Sequence, residues 1–188
     1  MSSPSRPERV AILGCGALTP DLPDDVEVVA LPPLLHNRPE LIPDAIRDAY
    51  QRIRDDYDRV IIGYADCGTY GAIDRLCDEL GLTRLPGRHC YDLYAGSAAV
   101  DALMAEEPGT YLLTDFLVAS FAGTVWRQLG LDRHPELRDD YFGHYRRCVW
   151  LTARPTPDLR RAAERAAGML GLPLEVRVVE RLTDLPYD

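Results

Sequence analysis

Val60-Ile61-Ile62-Gly63-Tyr64-Ala65-Asp66-Cys67-Gly68 is the stretch on which the fold turns. Residues 60–64 are uninterrupted by charge and begin with three β-branched side chains, the pattern of a strand buried on both faces. Asp66 and Gly68 end the run, and a helical pattern follows at once over residues 70–80. Ile73, Leu76, Cys77 and Leu80 share one face of it, and Gly81 supplies the stop. A doubly buried strand running straight into a helix is one half of a parallel crossover unit.

The same alternation extends outward in both directions. Residues 10–13 and 26–31 read as strands, and residues 43–54 as a helix with Ile46, Ala49 and Ile53 on one face. Prolines 20, 23, 32, 33, 39 and 43 indicate a long early loop. Downstream, a helix is expected over 92–105, then a Pro108-Gly109 turn and a strand over 111–113. Thr114 is a cap for a helix reaching Leu129 and stopped by Gly130, and residues 135–145 read as helical. Residues 148–151 form a strand. Thr156-Pro157 opens the best-marked helix, with Leu159, Ala162, Ala163, Ala166 and Leu170 as its buried stripe and Gly171 as its stop. A strand over 174–179 closes the chain. The expectation is a single α/β domain over residues 1–188, three layers deep and Rossmann-like, with a mostly parallel sheet.

The net charge is −9, so phosphate-rich partners are repelled, and neither nucleic acid nor an anionic membrane is an expected partner. All 21 basic residues are arginine. Without a lysine, Schiff-base chemistry and the usual P-loop are excluded. Residues 1–10 are charged, with two prolines and no apolar signal segment, and the most apolar stretch, 111–126, is broken by Asp115. A cytoplasmic location with reduced thiols is expected, where cysteines serve as ligands, nucleophiles or core rather than as disulfides.

Three cysteines stand where strands should give way to loops: Gly14-Cys15-Gly16, Asp66-Cys67-Gly68 and His89-Cys90-Tyr91. In open parallel sheets, ligands bind beyond the carboxyl ends of strands. Cys15, Cys67 and Cys90 meeting there would hold a metal and leave one coordination position open. The glycines beside Cys15 and Cys67 would let the backbone approach a bulky centre. The paired Cys-x-x-Cys spacing of a zinc ribbon is absent. A [4Fe-4S] cluster with an open iron suits three scattered thiolates and supports lyase or desulfurase chemistry on a small anionic or sulfur-containing molecule. A catalytic Zn2+ for methyl or thiol transfer, a metal-free Cys67 nucleophile, and plain core packing of the cysteines are the competing readings. Cys77 and Cys148 fall on apolar faces and read as core.

Asp66, His89 and His36 are the acid/base or supporting candidates. In the polar run Leu35-His36-Asn37-Arg38-Pro39, Asn37 and Arg38 are candidates for holding a substrate anion. Asp115 is a site carboxylate or a first-turn residue facing a helix dipole. Tyr64, Tyr70, Tyr91 and Tyr94 flank the cysteine segments and either donate into a pocket or pack; Tyr94 is taken as a substrate contact. Gly14-Cys15-Gly16 is not a dinucleotide fingerprint, because Thr19 stands where the third glycine belongs.

Several segments together resemble the DUF1638 family, a domain of unknown function, over most of the chain from Cys15 to about Leu172. They are Leu35-His36-Asn37, Tyr64-Ala65-Asp66-Cys67-Gly68-Thr69, His89-Cys90-Tyr91, Pro108-Gly109-Thr110, Leu113-Thr114-Asp115-Phe116-Leu117, Leu129-Gly130-Leu131-Asp132 and His134-Pro135-Glu136-Leu137-Arg138. The chain departs from the family pattern at Ala65, where glycine is usual, and at Tyr70, where a small residue is usual. The resemblance implies no particular reaction. It does imply a link to corrinoid-dependent methyltransferase systems and one-carbon metabolism, and with it a non-enzymatic alternative: a metal or corrinoid accessory protein.

Overall fold

The structure, a computed structural model, describes residues 8–19, 22 and 26–180. Residues 1–7 of the charged N-terminal segment, and Pro20 and Pro23 of the proline-rich stretch, lie outside the described residues. The chain divides into two compact units, one running to Cys90 and the other beginning at Tyr91. All the strand pairing is parallel, as the uninterrupted apolar runs require, and the strands are divided between a four-stranded and a three-stranded sheet.

In the first unit, β1 (Val10–Cys15), β2 (Glu27–Leu31), β3 (Arg59–Gly63) and β4 (Thr83–Arg84) stand in the order β2-β1-β3-β4. The chain steps from β1 to β2 on one side and then crosses back to place β3 on the other side of β1. The carboxyl ends of β1 and β3 therefore flank a topological switch point. Helices α1 (Ile42–Ile53) and α2 (Ala72–Leu80) supply Ile42, Ile46, Ile73 and Leu76 to a core shared with Ile12, Leu13 and Ile62. Gly14 faces Gly63 across the β1–β3 ladder, and a methyl group on Gly63 would lie 2.7 Å from an Ile12 methyl. A methyl group on Gly16 would lie 2.8 Å from the Leu31 carbonyl oxygen. The glycines on either side of Cys15 thus have close protein neighbours of their own.

Helix α3 (Cys90–Ala95) starts on the last residue of the first unit. Gly96, at φ 81° and ψ 140°, separates it from α4 (Ser97–Glu106), so the helix expected over 92–105 is two helices. In the second unit, β5 (Thr110–Leu113), β6 (Arg147–Thr152) and β7 (Leu174–Val178) are neighbours in sequence order. The Thr114 hydroxyl accepts from the Leu117 N–H and caps α5 (Asp115–Phe121), which passes into a π-helical turn over Ala122–Trp126. Residues expected as one helix over 135–145 are a 3-10 turn, Pro135–Leu137, followed by α6 (Arg138–Phe142). Helix α7 (Pro157–Leu170) has the boundaries its Thr156 cap, Pro157 and Gly171 dictate.

Trp150 is fully buried among Leu113, Phe121, Leu131 and the α7 alanines, and its indole N–H donates to Asp115 Oδ1 at 2.7 Å. At the opposite end of β6, buried Arg147 donates to Thr110 Oγ1 at 2.9 Å and to the Leu103 carbonyl at 3.0 Å, and pairs with Glu106 and Glu175. One guanidinium so ties α4, β5, β6 and β7 together, and its charge is balanced as burial demands. Among the described residues, no helix is long and apolar enough to cross a membrane.

Candidate functional site

Cys15 is the last residue of β1, with 7% of its surface exposed. Its carbonyl accepts from the Leu18 N–H at 2.9 Å, and Gly16 donates to the Leu31 carbonyl at 2.9 Å, which pins the turn beyond it. Cys67 lies in the loop between β3 and α2, half-buried, with φ 49°. That left-handed conformation is costly for a side chain with a β-carbon, of the order of 1–2 kcal/mol. Tyr70 repeats it at φ 52°, and Gly68 and Gly71 also have positive φ.

The loop is held in this shape from two sides. Inside it, Asp66 accepts from the Thr69 hydroxyl at 2.9 Å, the Tyr70 N–H at 3.1 Å and the Gly71 N–H at 2.7 Å. Beneath it, Asp66 N–H donates to the Gly87 carbonyl at 3.1 Å and Cys67 N–H to the Arg88 carbonyl at 2.9 Å. Arg84, paired with Asp74, donates to the Leu85 and Gly87 carbonyls and steadies that support.

Burial pushes the Asp66 carboxyl up, but the Gly71 N–H, the Thr69 hydroxyl, the Tyr70 N–H and the Arg84 charge outweigh it and hold the group below the ordinary 3.8. A carboxyl depressed by folding adds stability above its unfolded pKa and loses it as pH falls through the folded one. Wild-type unfolding free energy is accordingly expected to decline below about pH 4. Asp66→Asn should show a flatter acid limb and, at neutral pH, a loss of about 1 kcal/mol, both read by denaturant titration across pH. The departure from the family pattern at Tyr70 also has a conformational meaning. Its side chain is 90% exposed, so Tyr70→Gly removes strain and almost no packing. It should raise stability by about 1 kcal/mol in the same assay.

Cys15 and Cys67 lie near enough for the charge of one to act on the other. Burial pushes the Cys67 thiol up to about 11, and the charge of a Cys15 thiolate adds to the shift; the N–H groups of Ala65 and Cys90 act against it by favouring the thiolate. Burial likewise raises Cys15, against the N–H groups of Ala17 and Leu18 and the Tyr64 hydroxyl. Cys90 therefore reaches the Cys67 sulfur through its main chain, while its side chain is half-buried at the start of α3. Among the described residues, no three His, Cys, Asp or Glu side chains stand grouped as a metal cage.

The remaining candidates occupy different settings. His36, Asn37 and Arg38 are exposed on and just after a 3-10 turn, Pro33–Asn37. The His36 Nδ1 lies 2.6 Å from the Pro33 carbonyl oxygen, and Arg38 pairs with Glu40 in the open. Pro39 lies 3.8 Å from where a β-carbon on Gly68 would stand, so this segment borders the Cys67 loop. His89 is half-buried beside Cys90. Tyr94 and Asp115 belong to the second unit. Tyr94 is buried, and the Asp115 carboxylate accepts from Trp150 and, at 3.1 Å, from the Thr152 hydroxyl. Cys77 and Cys148 are buried on apolar faces, as their spacing indicated.

Tyr64 is the residue that the sequence undervalued. It follows β3, is 1% exposed, and both site cysteines act on its hydroxyl. The only signal was its position, one step beyond the strand and three before Cys67, where an aromatic side chain is ordinarily read as packing.

The family model described as "Protein of unknown function (DUF1638)" matches residues 30–182, most of the chain. No curated protein and no solved structure matches it.

Proposed function

We propose that this chain, which belongs to the DUF1638 family, is a metal-dependent enzyme whose centre is held by the thiolates of Cys15, Cys67 and Cys90. Its substrate is a small anionic or sulfur-containing molecule. The observation that carries the reading is the position of Cys15 at the end of β1 and of Cys67 in the loop after β3, both beside the switch point, where parallel sheets bind their ligands. A second support is the unfavourable φ at Cys67. Strain of this kind persists where the surroundings enforce it, and it clusters at functional sites.

The donor set suits a soft metal or an iron–sulfur cluster. Cys15 and Cys67 are the resident pair. Cys90, whose N–H already addresses the Cys67 sulfur, would be the third ligand. A bound centre would supply Lewis acidity at its open position. The chain's own residues bind and orient around it. Asp66, with its carboxylate engaged by the loop it organises, holds Cys67 in place. Arg38 offers an exposed guanidinium beside the Cys67 loop for the anionic end of the substrate. His36 and His89 are the nearby imidazoles for proton transfer. A metal-free nucleophile is the weaker reading: with the Cys67 thiol near 11, only about one molecule in ten thousand is ionised at pH 7.

The test is anaerobic purification followed by elemental analysis and an absorbance spectrum. Iron with sulfide and a broad band near the visible–ultraviolet border supports the cluster and lyase or desulfurase chemistry. Stoichiometric zinc in a colourless protein supports methyl or thiol transfer. A metal-loaded protein that transfers its centre or a methyl group only with a corrinoid methyltransferase partner supports the accessory role. Protein that carries no metal and takes up none on reconstitution overturns the proposal.

A further inference from the structure

Strand β7 stands at the end of the three-stranded sheet, and among the described residues no strand lies beyond it. The ladder to β6 shows which of its groups point outward. Cys148 N–H donates to the Pro173 carbonyl at 2.8 Å, and Val179 N–H to the Thr152 carbonyl at 2.9 Å. Main-chain groups alternate between the two sides of a strand, so Pro173, Glu175, Arg177 and Val179 address β6. Leu174, Val176 and Val178 therefore turn their N–H and C=O groups to the open side. Leu174 and Val176 pack against the core, while Val178, on the same face, is 69% exposed. Glu175 and Arg177 share the opposite face, where they pair with each other at 2.9 Å.

We propose that β7 is a homodimer interface, pairing antiparallel with β7 of a second copy across a twofold axis at Val176. Leu174-Glu175-Val176-Arg177-Val178 is self-complementary about its centre. In that register Val176 meets Val176 and Leu174 meets Val178, all residues with outward main-chain groups, so each pair exchanges two hydrogen bonds. Glu175 then stands directly opposite Arg177 of the other copy, in the pairs whose side chains approach most closely. The exposed Val178 gains an apolar neighbour in Leu174. The two nearest registers that keep the same hydrogen bonding centre on Glu175 or on Arg177, and each sets like charges face to face. Charge thus selects one register. A row of like charges would protect an open edge from pairing; alternating charge on β7 invites a second copy instead.

The strand has five residues, so the interface is small and its dissociation constant should lie in the micromolar range. Sedimentation velocity of the full chain over a concentration series should show a monomer–dimer equilibrium. Arg177→Glu replaces both cross-strand ion pairs with like charges and should weaken the dimer about tenfold. Arg177 is exposed, so the unfolding temperature of the variant should match wild type. Cross-linking checks the register without depending on that variant. Val176→Cys places two sulfurs on the axis, with α-carbons about 5.5 Å apart and within disulfide reach. Val178→Cys leaves its two copies at least about 13 Å apart. Under mild oxidation, Val176→Cys should give a linked dimer above the wild-type background, and Val178→Cys should not. A protein that stays monomeric to about 200 μM, a dimer that Arg177→Glu leaves unweakened, or equal cross-linking of the two cysteine variants would each overturn the proposal.

Discussion

Cys67→Ser should abolish metal loading and leave the fold in place. Serine keeps the size of the side chain and loses the soft donor, and a hydroxyl remains protonated where a thiol ionises under a metal. Affinity for Co2+ or Zn2+ should fall by at least about a hundredfold, since loss of a ligand exceeds the effect of losing a group that merely supports one. Cys67 is half-buried in a loop fixed by main-chain bonds and by Asp66, so metal-free stability should change by less than about 1 kcal/mol. Cys15→Ser should give the same loss of loading. Cys77→Ser is the control: Cys77 lies on the buried face of α2, so the change should lower stability and spare loading. Equal loading in wild type and Cys67→Ser, or equal loss in Cys77→Ser, would remove Cys67 from the centre. Metal content by elemental analysis, with denaturant unfolding of the same samples, separates these outcomes.

Trp150→Ala should be the most destabilising single change in the second unit, at about 3–5 kcal/mol. The side chain is fully buried at the middle of the three-stranded sheet, and truncation opens a cavity against Leu113, Phe121 and α7. It also deprives the Asp115 carboxylate of its 2.7 Å indole partner and leaves Thr152 as the remaining side-chain donor. Trp150→Phe keeps an aromatic ring while removing the indole N–H, and should cost at least the value of a hydrogen bond to a charged group, about 1.5–3 kcal/mol, with a smaller cavity term than Trp150→Ala. A loss below about 1 kcal/mol for Trp150→Ala in denaturant unfolding would mean that the core relaxes around the deletion. The same bonds bear on Asp115. The sequence left open whether it was a site carboxylate or a first-turn residue; it is the first residue of α5 and accepts from two side chains of β6.

What was legible in advance was what short-range chemistry controls. Thr156, Pro157, the alanine stripe and Gly171 each constrain the backbone within a few residues, and together they set both ends of α7. Gly96 imposes no such constraint by itself. A glycine inside a helical pattern is tolerated at about 1 kcal/mol, and only the observed φ of 81° shows that the chain breaks there. The π-helical turn after Phe121 and the two-residue β4 left no periodic trace either. At the site, the strand-end positions of Cys15 and Cys67 were readable because apolar runs stop just before them. The flanking glycines were readable as glycines; only the structure shows that Gly14 and Gly16 make room for neighbouring backbone.

From composition and pattern alone came an acidic, lysine-free α/β chain of parallel strands, with thiols at strand ends. Long-range packing supplied the order β2-β1-β3-β4, the switch point, the neighbourhood of Cys15, Cys67 and Tyr64, and the separation into two units. The difference is one of range. Periodicity, caps and turn residues act over a handful of positions and are written along the chain. Strand order and side-chain convergence arise from burial shared among segments far apart in it, and many arrangements satisfy the same local pattern until the core closes.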